Sequence, residues 1–167
     1  MIAELFLEGF TFDYAHFLPF DPKCSRLHGH TSNLSARIKG KTDTQGLLMH
    51  FSLAKKCIKS VLEQFDHKLI VASKYIVEKT NNEVLIVYTT TFKKIGENPK
   101  NASKSKPIYK IRLPYESLLE IPTESTIESI SKQLGEKILD RLPENISSIE
   151  LKVCEGSSKG AYVNLTR

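Results

Sequence analysis

Two histidines two residues apart, His28 and His30, head an apolar run of the same parity, Leu34, Ala36 and Ile38. Side chains alternate across an extended strand, so all five point to one face. A strand over residues 29–39 therefore carries both imidazoles at the end of its buried face. A third histidine, His16, closes the segment Phe12-Asp13-Tyr14-Ala15-His16, the end of a first strand over 2–16 rich in Phe and Leu. Two imidazoles from one strand and one from a neighbour make a three-nitrogen metal site. Such a site suits zinc and leaves a coordination position open, as catalytic zinc requires. A lone histidine beside an apolar face is ordinarily a hydrogen-bonded core residue; the pair with its third partner shifts the reading to a metal.

Cys24 precedes His28 by four positions, within Asp21-Pro22-Lys23-Cys24-Ser25-Arg26. That segment is polar and loop-like, and Lys23, Arg26 and a nearby zinc all favour the thiolate. Free cysteine is also among the most buried residue types, and a buried thiol is one alternative. A fourth zinc ligand is another, which would close the site and make it structural. Asp66-His67 sets a carboxylate beside an imidazole, the arrangement that prepares an acid/base histidine. A histidine interacting with a helix C-terminus accounts for the same pair equally well. Glu155 continues the parity of Ile149, Leu151 and Val153, which aims it at a buried face. A buried carboxylate needs a partner. A ligand with adjacent N–H donors, such as an amino-pyrimidine edge, fits that need, and so does a lysine or arginine.

The 167 residues are expected to form one domain with a sizeable core. Three widely spaced cysteines, Cys24, Cys57 and Cys154, argue against a disulfide framework and for a reducing, cytoplasmic setting. Met1-Ile2-Ala3-Glu4-Leu5 has no leader character, and no apolar run approaches the roughly 18 residues of a membrane span. The net charge of +5 is concentrated: residues 68–110 hold nine lysines and three glutamates, so the rest of the chain is close to neutral. The lysines lack the arginines and interleaved aromatics of a nucleic-acid surface, and no nucleic-acid partner is expected. A solvated hairpin or loop is the plain reading; attraction of an anionic substrate such as a triphosphate is the functional one.

Between these landmarks the periodicity predicts the elements. Gly46 marks a turn, and Phe51, Ala54, Ile58, Val61, Leu62 and Phe65 recur at helical steps, with Cys57 on or beside the stripe as a core residue. Val84–Tyr88 and Ile108–Ile111 read as two strands joined through Gly96–Asn101, a hairpin inserted at about 72–122. Ser125 as N-cap with Glu128 three residues on makes a capping box for a second helix with the stripe Ile127, Ile130, Leu134 and Ile138, ended by Pro143. Strands over 149–153 and 160–165 complete an α+β chain.

Together these segments resemble the 6-pyruvoyltetrahydropterin synthase superfamily, and most closely its 6-carboxytetrahydropterin synthase branch. The likeness covers residues 6–70 and 121–165. Phe12–His16 resembles the first zinc-histidine motif. Cys24, three intervening residues and His28-Gly29-His30 have the spacing of the carboxy-forming branch; the pyruvoyl-forming branch has a longer gap. Asp66-His67-Lys68-Leu69 resembles the catalytic Asp–His pair. Ser125–Glu128, with Thr126, resembles the helix opening that helps hold the pterin, and Glu155 the pterin-anchoring glutamate.

The resemblance implies the tunnelling fold, a four-stranded antiparallel sheet with two helices on one face. It implies Zn2+ on His16, His28 and His30, catalysis by Cys24, Asp66 and His67, and 7,8-dihydroneopterin triphosphate as substrate. It also implies homo-oligomers, trimers or hexamers, with active sites at subunit interfaces. The product would be 6-carboxytetrahydropterin; pyruvoyl-forming chemistry, cleavage to 6-hydroxymethyldihydropterin and a non-catalytic zinc- or pterin-binding module are the alternatives. Three departures stand out. His50 replaces the usual acid in Met49-His50-Phe51, Gly156 replaces a threonine after the anchoring glutamate, and the insertion at 72–122 is long.

Overall fold

The computed structural model describes residues 1–91 and 107–167. Its elements are β1 (Ile2–His16), β2 (His28–Lys41), α1 (Phe51–Leu62), β3 (Lys68–Ala72), β4 (Ile76–Lys79), β5 (Glu83–Thr89), β6 (Ile108–Pro114), β7 (Leu118–Ile121), α2 (Ile127–Arg141), β8 (Ile146–Glu155) and β9 (Lys159–Thr166). The described strands form a six-stranded sheet in the order β7-β3-β1-β2-β8-β9 and a three-stranded sheet in the order β4-β5-β6. Among the described residues no helix is long and apolar enough to cross a membrane.

The expected four-stranded sheet is thus extended to six, and its antiparallel character is broken where β3 and β7 pair parallel. The physical reason lies in Leu69-Ile70-Val71-Ala72. Every residue of this run is buried, so it has no alternation to betray a strand, as is usual where both faces are covered. The expected hairpin is present as β5 and β6, antiparallel from Glu83↔Pro114 to Thr89↔Ile108, and β4 adds a third strand. Its expected turn at Gly96–Asn101 lies outside the described residues.

Two compact units divide the chain. The first comprises residues 1–14, 30–67 and 126–167. Here β2 pairs antiparallel with β8, and β8 with β9. Helix α1 buries Ala54, Cys57, Ile58, Val61 and Leu62, and α2 buries Ile130, Leu134 and Ile138. The Cys57 thiol is in the core as expected, 3.5 Å from the Arg141 carbonyl, whereas Phe51 is exposed at the first turn. Arg167 donates to the carbonyls of Leu139 and Leu142, satisfying groups that the end of α2 leaves open.

The only partial alternation of β1 has a local cause. Leu7 is buried, Glu8 and Gly9 are both exposed, and burial resumes at Phe10, Phe12, Tyr14 and His16. Gly9 sits at φ 83°, the left-handed conformation of a glycine bulge, which inserts one residue and shifts the parity.

The second unit comprises residues 15–29 and 68–125. Its core gathers Phe17, Leu69, Val71, Val84, Ile86 and Tyr88. Phe17 stacks on Tyr88 at 3.7 Å between centroids and Tyr88 on Tyr109 at 4.7 Å, a three-ring column drawn from three separate stretches of chain.

Candidate active site

The first cluster is the one the histidine spacing predicts. His16, His28 and His30 each present a ligand atom within 4.8 Å of the others. His16 is almost fully buried, and its ring centroid lies 4.6 Å from that of His28. Backbone carbonyls set the tautomers. Nδ1 of His16 is 2.6 Å from the Ser125 carbonyl, and Nδ1 of His28 is 2.8 Å from the Arg26 carbonyl. A carbonyl can only accept, so in each ring Nδ1 carries the hydrogen and Nε2 carries the lone pair. An outer-shell acceptor that fixes the ring in this way is the usual support for a metal-bound imidazole. Three imidazoles, two of them prepared in this way, fit Zn2+ with an open position.

Cys24 is not a member of this group. All three cysteines are thiols, and Cys24 is neither fully buried nor fully exposed. Its loop is tightly bonded. The Cys24 and Lys23 N–H groups both donate to Oδ1 of Asp21 at 2.8 Å, and the Leu18 N–H donates to the Cys24 carbonyl at 2.7 Å. The two N–H donors hold the Asp21 carboxyl below the usual carboxylate range, Cys24 contributing most.

The second cluster joins Asp13, Asp66 and His67. Oδ1 of Asp66 accepts the Asp13 N–H at 2.8 Å, and the His67 N–H donates to the Asp13 carbonyl at 2.6 Å. Thr31 Oγ1 donates to Oδ1 of Asp13 at 2.5 Å. The Asp13 N–H, followed by His67, keeps the Asp66 carboxyl below its ordinary pKa. His67 lies at φ 58° among the described residues, left-handed backbone that only a few per cent of non-glycine residues adopt. It is 77% exposed, so the imidazole is held by Asp66 yet open to solvent.

The third group surrounds Glu155, whose side chain is only 10% exposed, as its parity predicts. The Tyr14 hydroxyl donates to Oε1 at 2.5 Å, His30 Nε2 is 3.7 Å from the same oxygen, and Lys159 Nζ is 3.8 Å from Oε2. Burial, then the Glu155 carboxylate, pushes the Tyr14 phenol far above its ordinary pKa, so it remains a donor.

Other expectations shift. The N-cap of α2 is Thr126 rather than Ser125: its Oγ1 accepts the Ser129 N–H at 3.3 Å. Ser125 lies one residue earlier, donating to the Phe17 carbonyl while its own carbonyl faces His16. Ser and Thr cap equally readily, so the pattern alone leaves the register open by one. Thr126, expected at the pterin, uses its hydroxyl in this cap. His50 occupies the N-cap of α1 without a side-chain cap bond; its carbonyl accepts from Leu53 and Ala54 at 3.1 Å. Gly156 adopts φ 70° in the β8–β9 turn, where a threonine would be strained. Asp13, Tyr14 and Thr31 were not singled out from the sequence. Their signal was position alone, inside or beside the histidine motifs.

A family model described as 6-pyruvoyl tetrahydropterin synthase matches residues 6–165. The chain is 29% identical over 158 residues to a Pyrococcus abyssi protein provisionally named 6-carboxy-5,6,7,8-tetrahydropterin synthase, across 93% of this chain and 86% of that one. It is 40% identical over 67 residues to the 6-carboxy-5,6,7,8-tetrahydropterin synthase of Haemophilus influenzae, across 36% and 48% of the two chains. In three dimensions it is similar to the 6-pyruvoyl tetrahydropterin synthase of Plasmodium vivax, with a TM-score of 0.76, 24% identity, and 100% and 99% coverage.

Proposed function

The chain belongs to the 6-pyruvoyl tetrahydropterin synthase family, and we propose that within it the protein is a zinc-dependent 6-carboxytetrahydropterin synthase. It would convert 7,8-dihydroneopterin triphosphate and one water to 6-carboxy-5,6,7,8-tetrahydropterin, acetaldehyde and triphosphate. The observation that carries the reading is the gathering of the His16, His28 and His30 ligand atoms within 4.8 Å in a chain where three residues separate Cys24 from His28-Gly29-His30. Relatives that bear the carboxy-forming name support the branch.

His16, His28 and His30 would hold Zn2+ through Nε2 of at least the first two, whose tautomers the carbonyls define. Bound there, the ion supplies Lewis acidity toward the side-chain hydroxyls of the substrate. Cys24, as thiolate, removes or relays the proton on the carbon joined to the pterin ring. His67, oriented by Asp66, exchanges protons with the side-chain hydroxyls. Glu155 accepts from the adjacent N–H groups of the pterin and so orients the reacting carbon. Carboxylate and Tyr14 hydroxyl are already paired, so the acceptor is preset. The reading includes a homo-oligomer, trimer or hexamer, acting in the cytoplasm.

The test is a product assay. Zinc-loaded protein is incubated with 7,8-dihydroneopterin triphosphate and the pterins are identified by mass spectrometry. Formation of 6-carboxytetrahydropterin with acetaldehyde supports the proposal; a pyruvoyl or hydroxymethyl product overturns the branch. C24A should retain zinc and lose most turnover, and an undiminished rate removes Cys24 from the chemistry. No turnover by zinc-loaded wild type would favour a binding module.

A further inference from the structure

The three-stranded sheet β4-β5-β6 makes a hydrogen bond to the loop that carries Cys24. The Tyr88 hydroxyl, on β5, donates to the Ser25 carbonyl at 2.9 Å, in a buried setting. Ser25 follows Cys24 directly, and its N–H donates to the Asp21 carbonyl at 3.0 Å. Two residues past the end of β5, the Thr91 N–H donates to the Pro19 carbonyl at 2.8 Å. Residues 19–25 are therefore tied to the end of β5 at both ends, while Asp21 closes the turn from within. The Tyr88 ring is fixed by Phe17 on one side and Tyr109 on the other, and by the edge of Tyr75. The phenol is 3% exposed, and its pKa is pushed up to about 12, first by burial and then by Tyr109, so it stays a donor through the neutral range.

We infer that Tyr88 is a positioning residue for Cys24: the β4-β5-β6 sheet is the clamp that sets the backbone of the cysteine loop, through the Tyr88–Ser25 hydrogen bond. The inference deepens the reaction proposed above and rests on it only for the consequence in turnover. Its physical content is separate. A backbone carbonyl one residue from the thiol is fixed by a rigid aromatic column, which limits the positions the Sγ can sample. A thiol used in proton transfer needs such limits, since a displacement near 1 Å costs about a hundredfold in rate.

Y88F decides the matter, because phenylalanine keeps the ring column and removes only the hydroxyl. Three readouts are taken on zinc-loaded full-length protein: zinc content, the rate of iodoacetamide alkylation at the Cys24 peptide, and kcat and KM for 7,8-dihydroneopterin triphosphate. The expectation is unchanged zinc, Cys24 alkylation changed by about fivefold, the order of one net hydrogen bond, and kcat lowered by a similar factor with KM held. Alkylation and kcat both at wild-type values would overturn the inference. So would a lowered melting temperature with alkylation and kcat unchanged, which would make the bond merely structural. Y88A, which also opens the column, should exceed Y88F in both effects; equal effects would show that the hydroxyl does all the positioning and the stack none. If wild type makes no pterin product, the alkylation comparison still decides the clamp, so the two readings fail separately.

Discussion

Oδ2 of Asp66 lies 2.9 Å from Nδ1 of its chain neighbour His67. Adjacent residues seldom face each other, and the left-handed backbone at His67 is what turns the imidazole back onto the carboxylate. The other oxygen of Asp66 is occupied by the Asp13 N–H, so the carboxylate cannot rotate away without losing a bond.

D66N keeps the shape of this arrangement and removes the charge. Turnover should fall by about 10²-fold, within the range for loss of an oriented acid/base group, with zinc content unchanged. The stability profile also has a defined sign. The folded Asp66 pKa is depressed, so its contribution is fully present above the unfolded value, about pH 3.9, and is lost as pH falls through the lower folded value. The melting temperature of D66N should therefore fall less steeply than that of wild type as pH drops below about 3.9.

H67N separates chemistry from backbone. Asparagine tolerates left-handed φ nearly as well as any non-glycine residue, so thermal stability should stay close to wild type. Turnover should fall by about 10²-fold, the lower end of what general acid–base catalysis contributes. A large stability loss with normal turnover would assign His67 to the turn rather than the reaction.

Y14F removes the phenol that donates to Glu155. A hydrogen bond to a charged group is worth about 2 kcal/mol, so the melting temperature should drop by about 4–8 °C. If Glu155 anchors the pterin, KM should rise more than kcat falls, because the lost bond orients the acceptor rather than the reacting atoms. Calorimetry and steady-state kinetics on one preparation check both.

H28A should lose the metal and the activity together. Chelator-treated wild type should recover turnover on zinc addition, and H28A should not, as read by metal analysis beside the product assay. A full zinc complement in H28A would show that His28 is not a ligand.

Much of this was legible in the sequence because it depends on short-range periodicity. His28 and His30 share a face with Leu34, Ala36 and Ile38 by strand geometry alone, and Glu155 inherits the buried side of Ile149, Leu151 and Val153 in the same way. Helix α2 was displaced by one residue at its start because Ser125 and Thr126 cap with similar strength. The parts that escaped depend on distant pairing. Leu69–Ala72 shows no alternation, and its parallel partner Leu118–Ile121 is some fifty residues away. The column of Phe17, Tyr88 and Tyr109 joins three stretches that share no local pattern, so the hold on Ser25 had no signature to read.

The extra residue at Gly9 gives the first strand a rule for tolerated length changes. Between Gly9 and His16, removing or adding a single residue would turn His16 to the opposite side, whereas changes of two would preserve its side. N-terminal to Gly9, the same odd change would leave the histidine undisturbed and turn the residues on its N-terminal side, such as Ala3 and Leu5, to the opposite face. Length variation among functional versions of this chain should accordingly be odd or even on one side of Gly9 and even alone on the other.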